Sequence, residues 1–173
     1  MSSLTSRQIA LFSVFAAMCI GIQLAPRPPN VEFTSLIAFT MGVFFGSLPA
    51  GIFGALVMFV NGFLSPWGFA GMIMPFQMAG MFIVGVAGGV YKRYVAGERS
   101  GRLCVEAAVL GAFLTLIYDV ITNSGAALLA GRALILTFFM GIAMSVVHIC
   151  SNTIFFGSAF IPLLKTLQKF SSR

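Results

Sequence analysis

FTSLIAFTMGVFFGSLPAGIFGALVMFVNGFLSPWGFAGMIMPFQMAGMFIVGVAGGVY, residues 33–91, contains no Asp, Glu, Lys or Arg. These 59 uncharged residues far exceed the ~20 needed for one helical crossing of a bilayer. At ~1.5 Å rise per residue the run would make a helix of about 88 Å, which suits three crossings of a hydrocarbon core roughly 30 Å thick. Turn formers fall where three crossings require breaks, GSLPAG at 46–51 and NGFLSPWG at 61–68. No single buried soluble helix accounts for this stretch, and it decides the fold class: an all-α, polytopic integral membrane protein.

The rest of the chain follows the same arithmetic. Of its residues 59% are hydrophobic and only 8% charged, against about 25% charged in an ordinary soluble domain. An apolar segment from Ile9 to Ala25 precedes the long run. Arg27-Pro28-Pro29 follows it where a secretory signal would carry small cleavage-site residues, so it reads as a retained helix. Leu103–Gly131 suits one tilted crossing, and Ala133–Leu164 returns. The expectation is six transmembrane helices in a single domain, 1–173, with both termini cytoplasmic. Arg7, Lys92, Arg93, Arg99, Arg102, Lys165, Lys169 and Arg173 then lie inside, while only Arg27 and Arg132 lie outside, as the positive-inside rule favours. The second and third helices are short and Gly-rich, and a re-entrant pair is the alternative, at the expense of this parity. The net charge of +6 therefore reads as topology and not as a nucleic-acid surface.

Intramembrane polar residues are costly and so are candidates for function. Asp119 stands out in LIYDVITNSG, with Thr122 and Asn123 at i+3 and i+4 on the same helix face. His148 and Asn152 form a similar pair in VVHICSN. Asp119 and His148 flank Arg132 at similar sequence separations, which places them at similar depth. Their pairing reads either as a brace between two helices or as part of a substrate site. Convergence favours the site: Asn61, Ser65 and Trp67 close the third helix and its outer loop. Gln77 and Asn123 sit in the outer halves of the fourth and fifth helices, and Arg27, Asn30 and Glu32 cap the same side. Trp67 suits an interfacial belt or stacking on a flat ligand.

Catalysis finds little support. Ser124 with His148 is the nearest approach to a hydrolytic pair, but the glycine two residues before a nucleophile is missing, and Asn123 reads more simply as a wall residue. No phosphate loop or paired-carboxylate motif occurs. Cys19, Cys104 and Cys150 lack metal-ligand spacing and read as small packing residues. The expectation is a non-enzyme without metal or cofactor.

On the first helix Ser13, Ala17, Gly21 and Ala25 recur every four residues. Such a ridge lets a second helix approach backbone to backbone; it suits packing within the chain or docking to another subunit. Taken together, the six short helices, this ridge, the PNVEFTS segment, SPWG before the fourth helix, PFQMAGMFIVGVAGG and YDVITNSG make the chain resemble the substrate-binding S components of energy-coupling factor (ECF) transporters. The resemblance covers nearly the whole chain. It implies capture of a vitamin or related micronutrient at the plasma membrane of a prokaryote, for ATP-driven uptake with a transmembrane T subunit and two cytoplasmic ATPases. It also implies that the ridge, with Ala17 and Gly21 at the family's alanine positions, meets the T subunit, and that the ligand lies under the first outer loop. Gly21 departs from the family's second alanine. The alternative is a non-transporting membrane scaffold or assembly protein. The sequence leaves the ligand's charge open, since Arg27 suits an anion and Glu32 and Asp119 a cation.

Overall fold

A computed structural model describes residues 5–66, 68–95 and 100–171. Trp67, Arg99 and Arg173 lie outside the described residues. Of the described residues 88% are helical, and the chain runs α1 (Ser6–Leu24), α2 (Thr34–Phe45), α3 (Ser47–Leu64), a 3-10 turn at Gly71–Ile73, α4 (Met74–Val95), α5 (Ser100–Ala130) and α6 (Leu134–Ser171). Among the described residues all but α2 of these six α-helices are long and apolar enough to cross a membrane, as a multi-pass membrane protein requires. Large apolar side chains such as Ile135, Phe139, Ile142 and Val146 on α6 stand exposed, a surface compatible with lipid and not with water.

Local chemistry sets the helix ends. Thr5 and Gln8 form a reciprocal capping box at the start of α1, and α1 stops at Leu24 because Ala25 precedes Pro26 and is held extended. The break expected over 46–51 is tighter than its sequence suggests. Gly46 alone turns the chain, at φ +98°, a conformation glycine adopts without strain. Pro49 then sits in the first turn of α3, where its missing N–H costs nothing. The second break also comes later than expected, since α3 runs on to Leu64. Helix α5 begins ahead of Leu103, so Arg102 and Glu106 lie on it, and Glu106 accepts from both Arg102 Nε at 2.7 Å and the Tyr91 hydroxyl at 2.6 Å. Helix α6 extends through Lys165 and Lys169.

Helix α2 is the axis of the bundle. It touches all five other α-helices, and every residue from Thr34 to Val43 is buried. Twelve residues rise only about 18 Å, short of a bilayer core, so α2 is viable because protein and not lipid surrounds it. Four glycines bring α2, α3 and α4 into backbone contact. A Cβ on Gly88 would strike the backbone of Phe39, one on Gly85 that of Ala50, one on Gly89 that of Ser47, and one on Gly42 that of Gly85. Phe39 then packs against Tyr91, Phe156 and Phe160, with ring centroids 5.4–5.6 Å apart.

The ridge on α1 is different. Ser13, Ala17 and Gly21 are exposed, and a Cβ on Gly21 would meet nothing within 4 Å. Only Cys19 and Gln23 on that helix are fully buried. Of the two readings open for the ridge, packing within this chain is not the one the structure contains.

Candidate functional site

The site begins with the shortness of α2. Because that helix starts well inside the bundle, the connection from Pro26 to Phe33 has to descend to reach it. Pro26, Pro28 and Pro29 limit the backbone on the way down, and Asn30 turns it at φ +60°. Hydrogen bonds hold the descending segment in place. Asn30 Nδ2 donates to Met144 O at 3.1 Å, and Ser151 Oγ to Asn30 O at 3.2 Å, which ties the segment to α6. Arg27 Nη1 donates to Val31 O at 2.8 Å and Nη2 to Gln23 Oε1, while Gln23 Nε2 donates to Thr34 Oγ1 at 2.8 Å.

Glu32, 6% exposed, lies at the foot of this segment. Its Oε2 accepts from the Ser35 N–H at 3.0 Å, which satisfies an amide at the start of α2 and places negative charge at the positive end of that helix. Its Oε1 accepts from Asn152 Nδ2 at 3.2 Å and lies 3.5 Å from His148 Nε2. On the other side of the imidazole, His148 Nδ1 and Asp119 Oδ1 are 2.8 Å apart. An ionised carboxylate only accepts, so against it Nδ1 carries the proton. Asn152 Nδ2 also reaches Thr115 Oγ1 at 2.9 Å. A continuous polar path therefore crosses from Thr115 and Asp119 on α5, through His148 and Asn152 on α6, to the entry of α2. The Tyr118 ring stands edge-on to His148, centroids 5.7 Å apart.

Above this path opens a cavity of about 420 Å³, within the range of roughly 300–1,000 Å³ typical of small-molecule sites. Arg27, Asn30, Glu32, Asn61, Gln77 and His148, all singled out in the sequence, line it together with Ser65. Asp119 and Asn123 line a smaller cavity of about 190 Å³ alongside, which shares Asn30, Gln77, Tyr118 and His148 with the first. Of the expected site residues only Trp67 falls outside the described residues. Asp119 and His148 do meet, and Thr122 and Asn123 share the face of Asp119, but they bond to carbonyls of α5 itself, Thr122 Oγ1 to Tyr118 O at 3.0 Å and Asn123 Nδ2 to Asp119 O at 2.8 Å. Ser124 lines neither cavity.

Sequence reasoning missed Gln23, Tyr118 and the apolar walls Met58 and Met81. Gln23 carried a signal: it lies one helical turn before Arg27, and the two side chains bond. The methionines carried none, since they are indistinguishable in sequence from lipid-facing residues. Arg27 and Asn61 line the larger cavity and Asp119 the smaller, and Arg27 Nε, Asn61 Oδ1 and Asp119 Oδ2 are buried without a hydrogen-bond partner among the described residues. Each such atom costs about 1–3 kcal/mol until something pairs with it. The arrangement is suited to bind a polar molecule. No histidine, cysteine, aspartate or glutamate cluster that suits a metal ion occurs among the described residues.

No protein-family model, curated protein or solved structure matches the chain.

Proposed function

We propose that the chain is the substrate-binding S component of an ECF-type importer, which captures a vitamin or related micronutrient from outside a prokaryotic plasma membrane. One observation carries this reading: a cavity of about 420 Å³ lined by polar side chains, two of which, Arg27 and Asn61, hold buried unpaired atoms, at the end of the bundle opposite Lys92, Arg93, Arg102 and Lys165. With the basic end cytoplasmic, the chain crosses six times, α2 and the descending segment together making one crossing, and both termini lie inside. The exposed ridge of Ser13, Ala17 and Gly21 supports docking to a T subunit, which with two ATPases would drive uptake. The protein itself carries out no chemistry on its ligand.

The 2.8 Å contact between Asp119 and His148 favours a second reading, a scaffold in which polar groups only brace helices. An affinity-tagged chain drawn from its native membrane separates the two. The importer reading expects a co-purifying small molecule by mass spectrometry, together with one transmembrane partner and ATPase subunits. Recovery of other membrane proteins, with neither ATPases nor a small molecule, would establish the scaffold.

A further inference from the structure

The smaller cavity holds the most conspicuous loose end in the site. Asp119 lines it, its side chain 8% exposed; Oδ1 is bound to His148, while Oδ2 is buried and unpartnered. Asn123 adds to the same wall. Its Nδ2 is committed to Asp119 O, which turns Oδ1 toward α6, where a Cβ on Gly141 would sit 3.0 Å from it. Both side chains present acceptors, so this cavity calls for a donor.

Charge counting points the same way. Glu32 and Asp119 stand on either side of one imidazole, and even with both ring nitrogens protonated His148 offsets only one carboxylate. Arg27 does not supply the balance. Its guanidinium is bonded to the neutral oxygens of Gln23 and Val31, and among the described residues it forms no ion pair. The site thus has two separated poles: two carboxylates that share one imidazole, with Asp119 Oδ2 left unpartnered between α5 and α6, and a guanidinium with a bare Nε on the α1–α2 connection.

We propose that the ligand is bipolar: a protonated amine or amidine enters the smaller cavity and donates to Asp119 Oδ2 and Asn123 Oδ1, while a carbonyl or carboxylate lies against Arg27 in the larger one. This rests on the reading of the larger cavity as a small-molecule site and adds the chemical class of the molecule. A rigid neutral ring joining the two ends suits Tyr118, which lines both cavities.

Three ring-bearing probes of similar size test this on purified, dialysed protein: benzylamine as cation, benzoate as anion and benzyl alcohol as neutral control. Binding is read from the shift in melting temperature and from emission of the single tryptophan. Benzylamine is expected to bind tightest. Asp119→Asn should weaken it roughly tenfold or more, the scale of a charge-assisted hydrogen bond, and leave benzoate unchanged; Arg27→Gln should do the converse. Should Asp119→Asn fold poorly through loss of its bond to His148, Ser145→Leu fills the smaller cavity without touching that bond and should exclude benzylamine alone. Benzoate binding tighter than benzylamine, or benzylamine indifferent to both α5–α6 variants, overturns the bipolar class while leaving a small-molecule site intact. Stabilisation by sodium or potassium chloride equal to that by benzylamine overturns it in favour of an inorganic cation. Failure of all three probes to bind overturns it as well, and a co-purifying small molecule then still decides whether the site exists.

Discussion

Two small-residue faces of this molecule look alike in sequence and have opposite fates. On α4, Gly85, Gly88 and Gly89 are pressed against the backbones of α2 and α3 with no room for a methyl group. On α1, Ser13, Ala17 and Gly21 follow the same kind of spacing and are exposed, and a Cβ on Gly21 would meet nothing within 4 Å. Small residues license close helix approach, but they do not say which helix approaches. The α4 glycines have their partners within the chain. The α1 ridge has the same licence and no partner in it.

Breaking the α4 seam should have the largest effect. Gly88→Leu forces a branched side chain into the Phe39 backbone, and with α2 displaced the central helix loses the cover that lets so short a segment persist. The expected outcome is no folded protein, read as loss of a monodisperse peak in detergent; even Gly88→Ala should cost about 1–3 kcal/mol by overpacking. A stable, monodisperse Gly88→Leu would show that the seam is looser than its geometry.

Next comes the ridge. Gly21→Leu should leave the melting temperature nearly unchanged, since exposed substitutions usually fall within about 0.5 kcal/mol, while recovery of the transmembrane partner and nutrient uptake are lost. Unfolding instead would mean that the ridge packs within the chain, and retained uptake would move docking elsewhere. A smaller effect on stability is expected for Glu32→Gln, which keeps shape but weakens the cap on α2 by about 1 kcal/mol, measurable as a modest drop in apo melting temperature. The least perturbing test is topological. In a chain freed of its native cysteines, Ser65→Cys and Gly131→Cys should react with an impermeant reagent outside intact cells and Arg93→Cys should not; the reverse pattern would turn the cavity toward the cytoplasm.

Much of the helix plan was legible because a charge-free run of this length admits few solutions. Breaks near Gly46 and Ser65 followed from turn chemistry, although Gly46 turning the chain alone did not. That α2 is too short to cross by itself, and is buried on every side, was hidden, because a central helix and a lipid-facing one are equally apolar. The polar half of the site was legible for the opposite reason: Asn61, Gln77, Asp119 and His148 stand out against hydrocarbon. Gln23 was overlooked although it lies one turn before Arg27, Tyr118 reads as one more aromatic among many, and the apolar walls had no sequence signal at all. The fate of each glycine stripe was equally unreadable, since it depends on which backbone lies opposite.

The central claim is that the larger cavity captures a small polar molecule, and Asn61 tests it most directly, because it lines that space and its buried Oδ1 is unpartnered. Small molecules released from purified wild type, Gly21→Leu and Asn61→Leu would be quantified by mass spectrometry. The account predicts one compound at near-stoichiometric amount in the first two and its loss from Asn61→Leu, with all three proteins folded. The same compounds in equal amounts from all three would contradict it.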